Sequence, residues 1–210
     1  MTGSEIVQRV ADENAINPRI LLALVEYRGH WLTAVTPEAQ FLELPLGYLD
    51  PYTTGLYKQL SWAANAMARG YLLSRMQAAA VWTLADGTVM RIDPTINPGT
   101  AAVQFALSIL LPERDFKIAI SQEGFAKTYN NLFGFPFAYS ANASLPEGLT
   151  QPDLALPLGA GDTWYYTGGP HWGWGTGSPW AALDFAPSIE TDEYGCFASD
   201  LPVLAAAPGT

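Results

Sequence analysis

Residues 17–29 read NPRILLALVEYRG. Asparagine followed by proline marks a helix start. The asparagine side chain caps free N–H groups, and proline's fixed φ suits the first turn. A nearly unbroken apolar run follows, Ile20 to Val25, and the pattern stops at Gly29. A helix that is apolar on most sides is one that other elements surround. The segment is therefore predicted to be the central helix of an N-terminal helical domain.

The neighbouring sequence supplies helices to pack around it. Upstream, Thr2 and Glu5 fit a capping box, and Ile6, Val7, Val10 and Ala11 follow at helical spacing. Downstream, Leu56, Leu60, Ala63, Ala64, Met67 and Tyr71 recur at intervals of three and four. AVWTLADGTVMRI, residues 80–92, reads as a hairpin around Asp86-Gly87. Asn97-Pro98-Gly99 starts another helix through TAAVQFALSILL, and one or two more fit between Pro112 and Leu132, ending near Gly134.

The texture then changes. Seven prolines and glycines from Pro136 to Gly161 break every periodicity, so 135–160 is read as a linker or an extended lead-in. Beyond it TWYY, AALDFA and LPVLAAA are short apolar runs that read as strands and loops. The expected organisation is multi-domain, α then β: a helical domain over 1–134, a Pro/Gly-rich linker over 135–160, and the start of a β domain over 161–210.

Composition bounds what such a chain does. Hydrophobic residues make up 49% of 210, charged residues 14%, and the net charge is −10. A sizeable core is expected. An acidic chain without clustered Lys and Arg is not expected to bind nucleic acid or an anionic membrane. No run of about 18 apolar residues occurs, so no transmembrane segment is predicted. MTGSEIVQRVADENA lacks the basic and apolar regions of a signal peptide. Cys196 is the single cysteine and is read as a buried free thiol. Asn142-Ala143-Ser144 is a sequon of the kind that often occurs by chance.

The β part carries the candidate chemistry. His171, one of two histidines in the chain, sits in TGGPHWGWGTGSPWAALDF, with Asp184 in the run AALDF. Twelve residues, 172 to 183, separate them, a length that suits a loop leaving one strand and returning on its neighbour. Histidine nitrogen and aspartate oxygen are zinc ligands, and a hydrolytic zinc site needs three protein ligands and one open position. The glycines allow positive φ and close approach of a substrate, and Trp172, Trp174 and Trp180 are candidates to wall a groove. Asp184, flanked by Leu183 and Phe185, reads as a buried acid that needs a partner. As bare residues the two fit a loop histidine and an aspartate capping a turn better than a metal site, because no third ligand accompanies them.

The run WYYTGGPHWGWGTGSPWAALDFA resembles the opening motif of the LytM/lysostaphin-type zinc endopeptidases, and within them the LasA-like subgroup. The resemblance implies an antiparallel β peptidase domain, here incomplete, with zinc as cofactor and His171 and Asp184 as its first two metal ligands. It further implies a His-x-His pair beyond Thr210 that supplies the third ligand and the general base. No catalytic residue is therefore expected within this chain, which alone should be inactive. The implied activity is cleavage of peptide stems or cross-bridges of bacterial peptidoglycan, outside the cell or at its surface. The protein is expected to be a monomer.

NAINPRILLALVEYRGHW resembles the start of a lysozyme-like transglycosylase domain, and INPGTAAVQFALSILL and GFAKTYNNLFG are similar in style to its later helices. Aligned through LLAL, that family's catalytic glutamate falls on Arg28 and its serine on Gly29. Glu26 lies two positions earlier, about 200° round the helix, and is expected to point away from a cleft. Two readings of Glu26 follow: a general acid for glycoside cleavage, which needs a raised pKa, or a local partner of Arg19 or Arg28 in a non-catalytic glycan-binding scaffold. The alignment favours the second. His30 and Trp31 are either the lining of a glycan groove or ordinary loop residues.

Overall fold

A computed structural model of the chain describes residues 1–138, 153–171, 182–188 and 198–208. The Asn142 sequon, most of the expected linker, Trp172, Trp174, Trp180 and Cys196 lie outside the described residues, as do the side chains of residues 169–171 and 182. The chain divides into two compact units, the first helical and the second built on β-strands.

The helical unit begins with α1, Gly3–Glu13, opened by the capping box of Thr2 and Glu5. Helix α2, Pro18–Gly29, starts where the sequence places it, with Asn17 Oδ1 accepting from the Arg19 N–H. Its apolar run is the centre of the core: Leu21, Ala23, Leu24 and Val25 are buried. It stops at His30, whose φ of 52° and ψ of 37° are left-handed and whose N–H donates back to the Glu26 carbonyl. A short helix α3, Gln40–Glu43, lies in the following loop and has no counterpart among the sequence expectations.

Helix α4, Leu56–Arg75, buries Leu60, Ala63, Ala64 and Met67 as its spacing requires. Tyr71, expected on the same stripe, is 44% exposed. The last turns of α4 instead turn Ala66 and Gly70 inward, where α5, Pro98–Leu110, crosses closely. Between them β1, Val81–Thr83, pairs antiparallel with β2, Val89–Arg91. This is the hairpin of 80–92, and it sends Trp82 into the core edge-on against Phe105, 5.2 Å between ring centroids. Helices α6, Glu113–Ala119, and α7, Phe125–Phe133, complete the unit, with Phe116 fully buried.

The loop between α3 and α4 is fastened by one buried residue. Gln59 has no exposed surface; its Nε2 donates to the carbonyls of Tyr48 and Thr53, and its Oε1 accepts from the N–H groups of Leu46 and Tyr48. An amide offers two donors and two acceptor lone pairs, and all are used here. Helix α1 is tied to α4 through Glu13, which accepts from Arg9 Nε at 2.7 Å and from the Tyr57 hydroxyl at 2.7 Å.

In the second unit β3, Trp164–His171, pairs antiparallel with β4, Ala182–Pro187. Ser188 N–H donates to the Thr163 carbonyl and prolongs the ladder. Leu158 and Val203 form an isolated bridge, flanked by bonds from Ala155 N–H to Ala206 O and from Leu204 N–H to Pro157 O. The α-then-β order read from the sequence is the architecture observed.

Candidate functional site

His171 and Asp184 stand on the two paired strands of the second unit. His171 is the last residue of β3, opposite Ala182, and Asp184 lies on β4 opposite Gly168. Three steps along β3, from Gly168 to His171, face two along β4, from Asp184 to Ala182. One extra residue is thus accommodated as a bulge. In a regular ladder a residue three positions on lies on the other face; the bulge returns the His171 register position to the face of Asp184. Glycine at 168 has a use here: a Cβ built on it would lie 3.1 Å from Asp184 Oδ2. The carboxylate thus folds back over the neighbouring strand, into space that a side chain would take.

One expectation about Asp184 needs correction. It was read as buried, but it is exposed, and its neighbour Leu183 is 52% exposed. Flanking apolar residues bury an acid only where a second layer covers the strand. Here β3 and β4 make a two-stranded ribbon. Among the described residues no three His, Cys, Asp or Glu side chains gather as a metal site needs. Histidine and aspartate at register positions on adjacent strands are residue types suited to zinc, and by themselves they are two-thirds of a protein ligand set.

The helical unit holds a second candidate, a cleft of about 610 Å³ between the C-terminal turn of α2 and helices α6 and α7. Its lining includes Glu26, Arg28, His30 and Thr33 from the end of α2 and the loop after it, Asp115 from α6 and Asn131 from α7. Glu26 was expected to point away from any cleft, and the structure differs. It is 6% exposed and sits at the cleft's edge, where it accepts from the Leu32 N–H at 2.8 Å, the Thr33 N–H at 3.2 Å and the Thr33 hydroxyl. The 200° argument holds inside a helix. Helix α2 ends three residues on, and Glu26 reaches over the open end to the loop.

The local partner of Glu26 is likewise not Arg19 or Arg28. Arg19 lies over the Phe133 ring, and Arg28 donates from Nε to the Leu46 carbonyl. Burial pushes the Glu26 carboxyl up, but the three donors and the nearby His30 outweigh it and hold the group below its ordinary value. Hydrogen bonds to the charged form favour that form. A general acid for glycoside cleavage needs the opposite shift.

Arg28 is held with similar care. Its guanidinium lies 6.0 Å from the Phe41 ring centroid, beside Gly47, which has φ of 72°. A Cβ at Gly47 would come within 2.9 Å of Nη2. Burial draws the Arg28 pKa below its ordinary value, and burial pushes the Tyr27 hydroxyl up. Thr33, Asp115 and Asn131 went unnoticed in the sequence. They come from a loop and two helices far apart along the chain, and no spacing rule connects them.

These features define a class: an α-then-β chain with a clefted helical unit and an antiparallel ribbon after it. The chain belongs to the LasA family through its N-terminal part, since the family model described as LasA, N-terminal domain, matches residues 1–145. No curated protein and no solved structure matches the chain. The sequence motif that suggested LasA-like proteins lies at 164–187, whereas the family match falls on the helical part. The family match thus rests on the helical part alone, and residues 164–187 lie outside it.

Proposed function

We propose that this chain is part of a zinc-dependent endopeptidase that cleaves peptide cross-links of bacterial peptidoglycan outside the cell. His171 and Asp184 are its first two metal ligands. The observation that supports the reading is the ladder register, in which the bulge between Gly168 and His171 sets the backbone position of His171 opposite Ala182, two residues from Asp184 on the adjacent strand. Membership of the LasA family supports it. The third ligand and the general base are assigned, by the resemblance to LytM-type enzymes, to a His-x-His pair outside these residues.

Zinc, when bound, supplies Lewis acidity that polarises a carbonyl and makes a water nucleophilic near neutral pH. The chain's own contribution is to set the histidine and the aspartate on paired backbone, with glycines at 168 and 169 leaving room for a substrate chain to approach.

The test is made on the natural polypeptide that carries this chain, by metal analysis and by lysis of purified cell walls. His171→Ala and Asp184→Ala are each expected to lose bound zinc and to lower lysis by at least about a hundredfold, as loss of a metal ligand should. Zinc content and lysis that both survive both substitutions would sink the proposal.

A further inference from the structure

The cleft of the helical unit poses a question that the zinc reading leaves untouched. Arg28 is a partly buried cation, fixed by the Leu46 carbonyl and the Phe41 ring, with Gly47 making room for it. Such an arrangement orders a guanidinium before anything binds, and guanidinium geometry suits a carboxylate. Yet among the described residues no carboxylate lies within ion-pair distance of Arg28. Glu26 is close in sequence, but its oxygens are engaged by Leu32 and Thr33.

The acid that answers Arg28 is Asp115, in the first turn of α6. It lines the same cleft and is exposed. The charge of Asp115 acts on Arg28, and the two form no ion pair. A held cation and an exposed anion that line one cleft without pairing are suited to a ligand with opposite charges at its ends. In the same lining Thr33, Thr128 and Asn131 offer neutral donors and acceptors, and Leu111, Ile118 and Leu132 offer apolar wall. That mixture matches a peptide backbone with small side chains.

Size and surface narrow the class. The 610 Å³ volume lies inside the range of about 300–1,000 Å³ for small-ligand sites. It exceeds what a single amino acid needs. Oligosaccharides stack on broad, open aromatic faces, but of Phe, Trp and Tyr only Tyr27 lines the cleft beside the smaller ring of His30, and Tyr27 meets Phe125 at 6.1 Å with an interplanar angle of 78°. We infer that the cleft binds a short peptide with free ends, its carboxylate seated on Arg28 and its ammonium on Asp115. This stands on the helical unit alone and does not depend on the metal site.

The test is calorimetric titration of the full chain with triglycine, N-acetyl-triglycine, triglycinamide and the tetramer of N-acetylglucosamine. Triglycine is expected to bind, and blocking either end should weaken it by about tenfold or more, the loss of one charged contact. Asp115→Asn, a change at an exposed side chain, is expected to weaken triglycine while leaving N-acetyl-triglycine as it was. Arg28→Lys keeps the charge and loses the fork, and should weaken triglycine more than triglycinamide. Equal binding of free and blocked peptides would overturn the inference. So would tetrasaccharide binding without triglycine binding, or no triglycine binding up to about 10 mM, a concentration beyond which affinity carries no specificity.

Discussion

Glu26 is the residue at which local chemistry is most concentrated. A buried carboxylate with three donors fixes the loop that follows α2 and so shapes one wall of the cleft. Its folded pKa lies below the ordinary carboxyl value, so it adds stability that is complete above that value. The contribution is lost as pH falls through the lowered folded value. Glu26→Gln keeps an acceptor but removes the charge, and is expected to cost about 1.5–3 kcal/mol at neutral pH, the range for hydrogen bonds to charged groups. Urea denaturation at neutral pH and near pH 4 checks this. The gap between the two proteins should narrow on acidification, and a gap independent of pH would contradict it. The sequence exposes Glu26 as an acid in an apolar helix. Its partners Leu32 and Thr33 emerge only once the helix is seen to end at Gly29.

At the scale of elements, the helix starts were legible because caps are local. Thr2, Asn17 and Asn97 each accept from an N–H two or three residues on, as their positions before helical runs require. The crossing of α4 and α5 was not legible. It depends on Gly70, where an added Cβ would meet Phe105 Cβ at 2.5 Å and lie 3.1 Å from the Ala101 carbonyl oxygen. Glycine to alanine in an ordinary helix interior gains about 0.5–1 kcal/mol. Here the new methyl forces α5 away, at an overpacking cost of about 1–3 kcal/mol. Gly70→Ala is therefore expected to lower the denaturation midpoint, followed by far-UV circular dichroism. A raised midpoint would show that the helices separate freely.

The ribbon of β3 and β4 shows the limit of pattern reading in another way. The two strands and their pairing follow from short apolar runs on either side of a glycine-rich connection. The exposure of Asp184 does not. A run such as AALDFA is compatible with a covered or an open strand, and only the number of layers decides which.

Across the whole molecule charge is unevenly shared. All ten Lys and Arg fall between Arg9 and Lys127, while residues 128–210 carry eight acids and no cation. The part that holds His171 and Asp184 thus has a net negative field that draws cations toward it. Such a field is screened over about 10 Å at 0.1 M salt. On the proposed zinc reading, metal association with the natural polypeptide is expected to weaken several-fold between about 20 mM and 500 mM sodium chloride, as the Debye length shrinks. Titration at the two salt concentrations measures it, and an unchanged affinity would remove the long-range contribution.

The sequence by itself determined the order of helix and strand, the helix starts and the segment at the centre of the core. Each of these is a consequence of neighbours along the chain: a cap, a period, a break. Tertiary structure alone decided the cleft, the meeting of Arg28 and Asp115 in its lining, the burial of Gln59 and the exposure of Asp184. These arise where segments tens of residues apart meet, and their chemistry depends on distance and covering, which one-dimensional spacing does not contain.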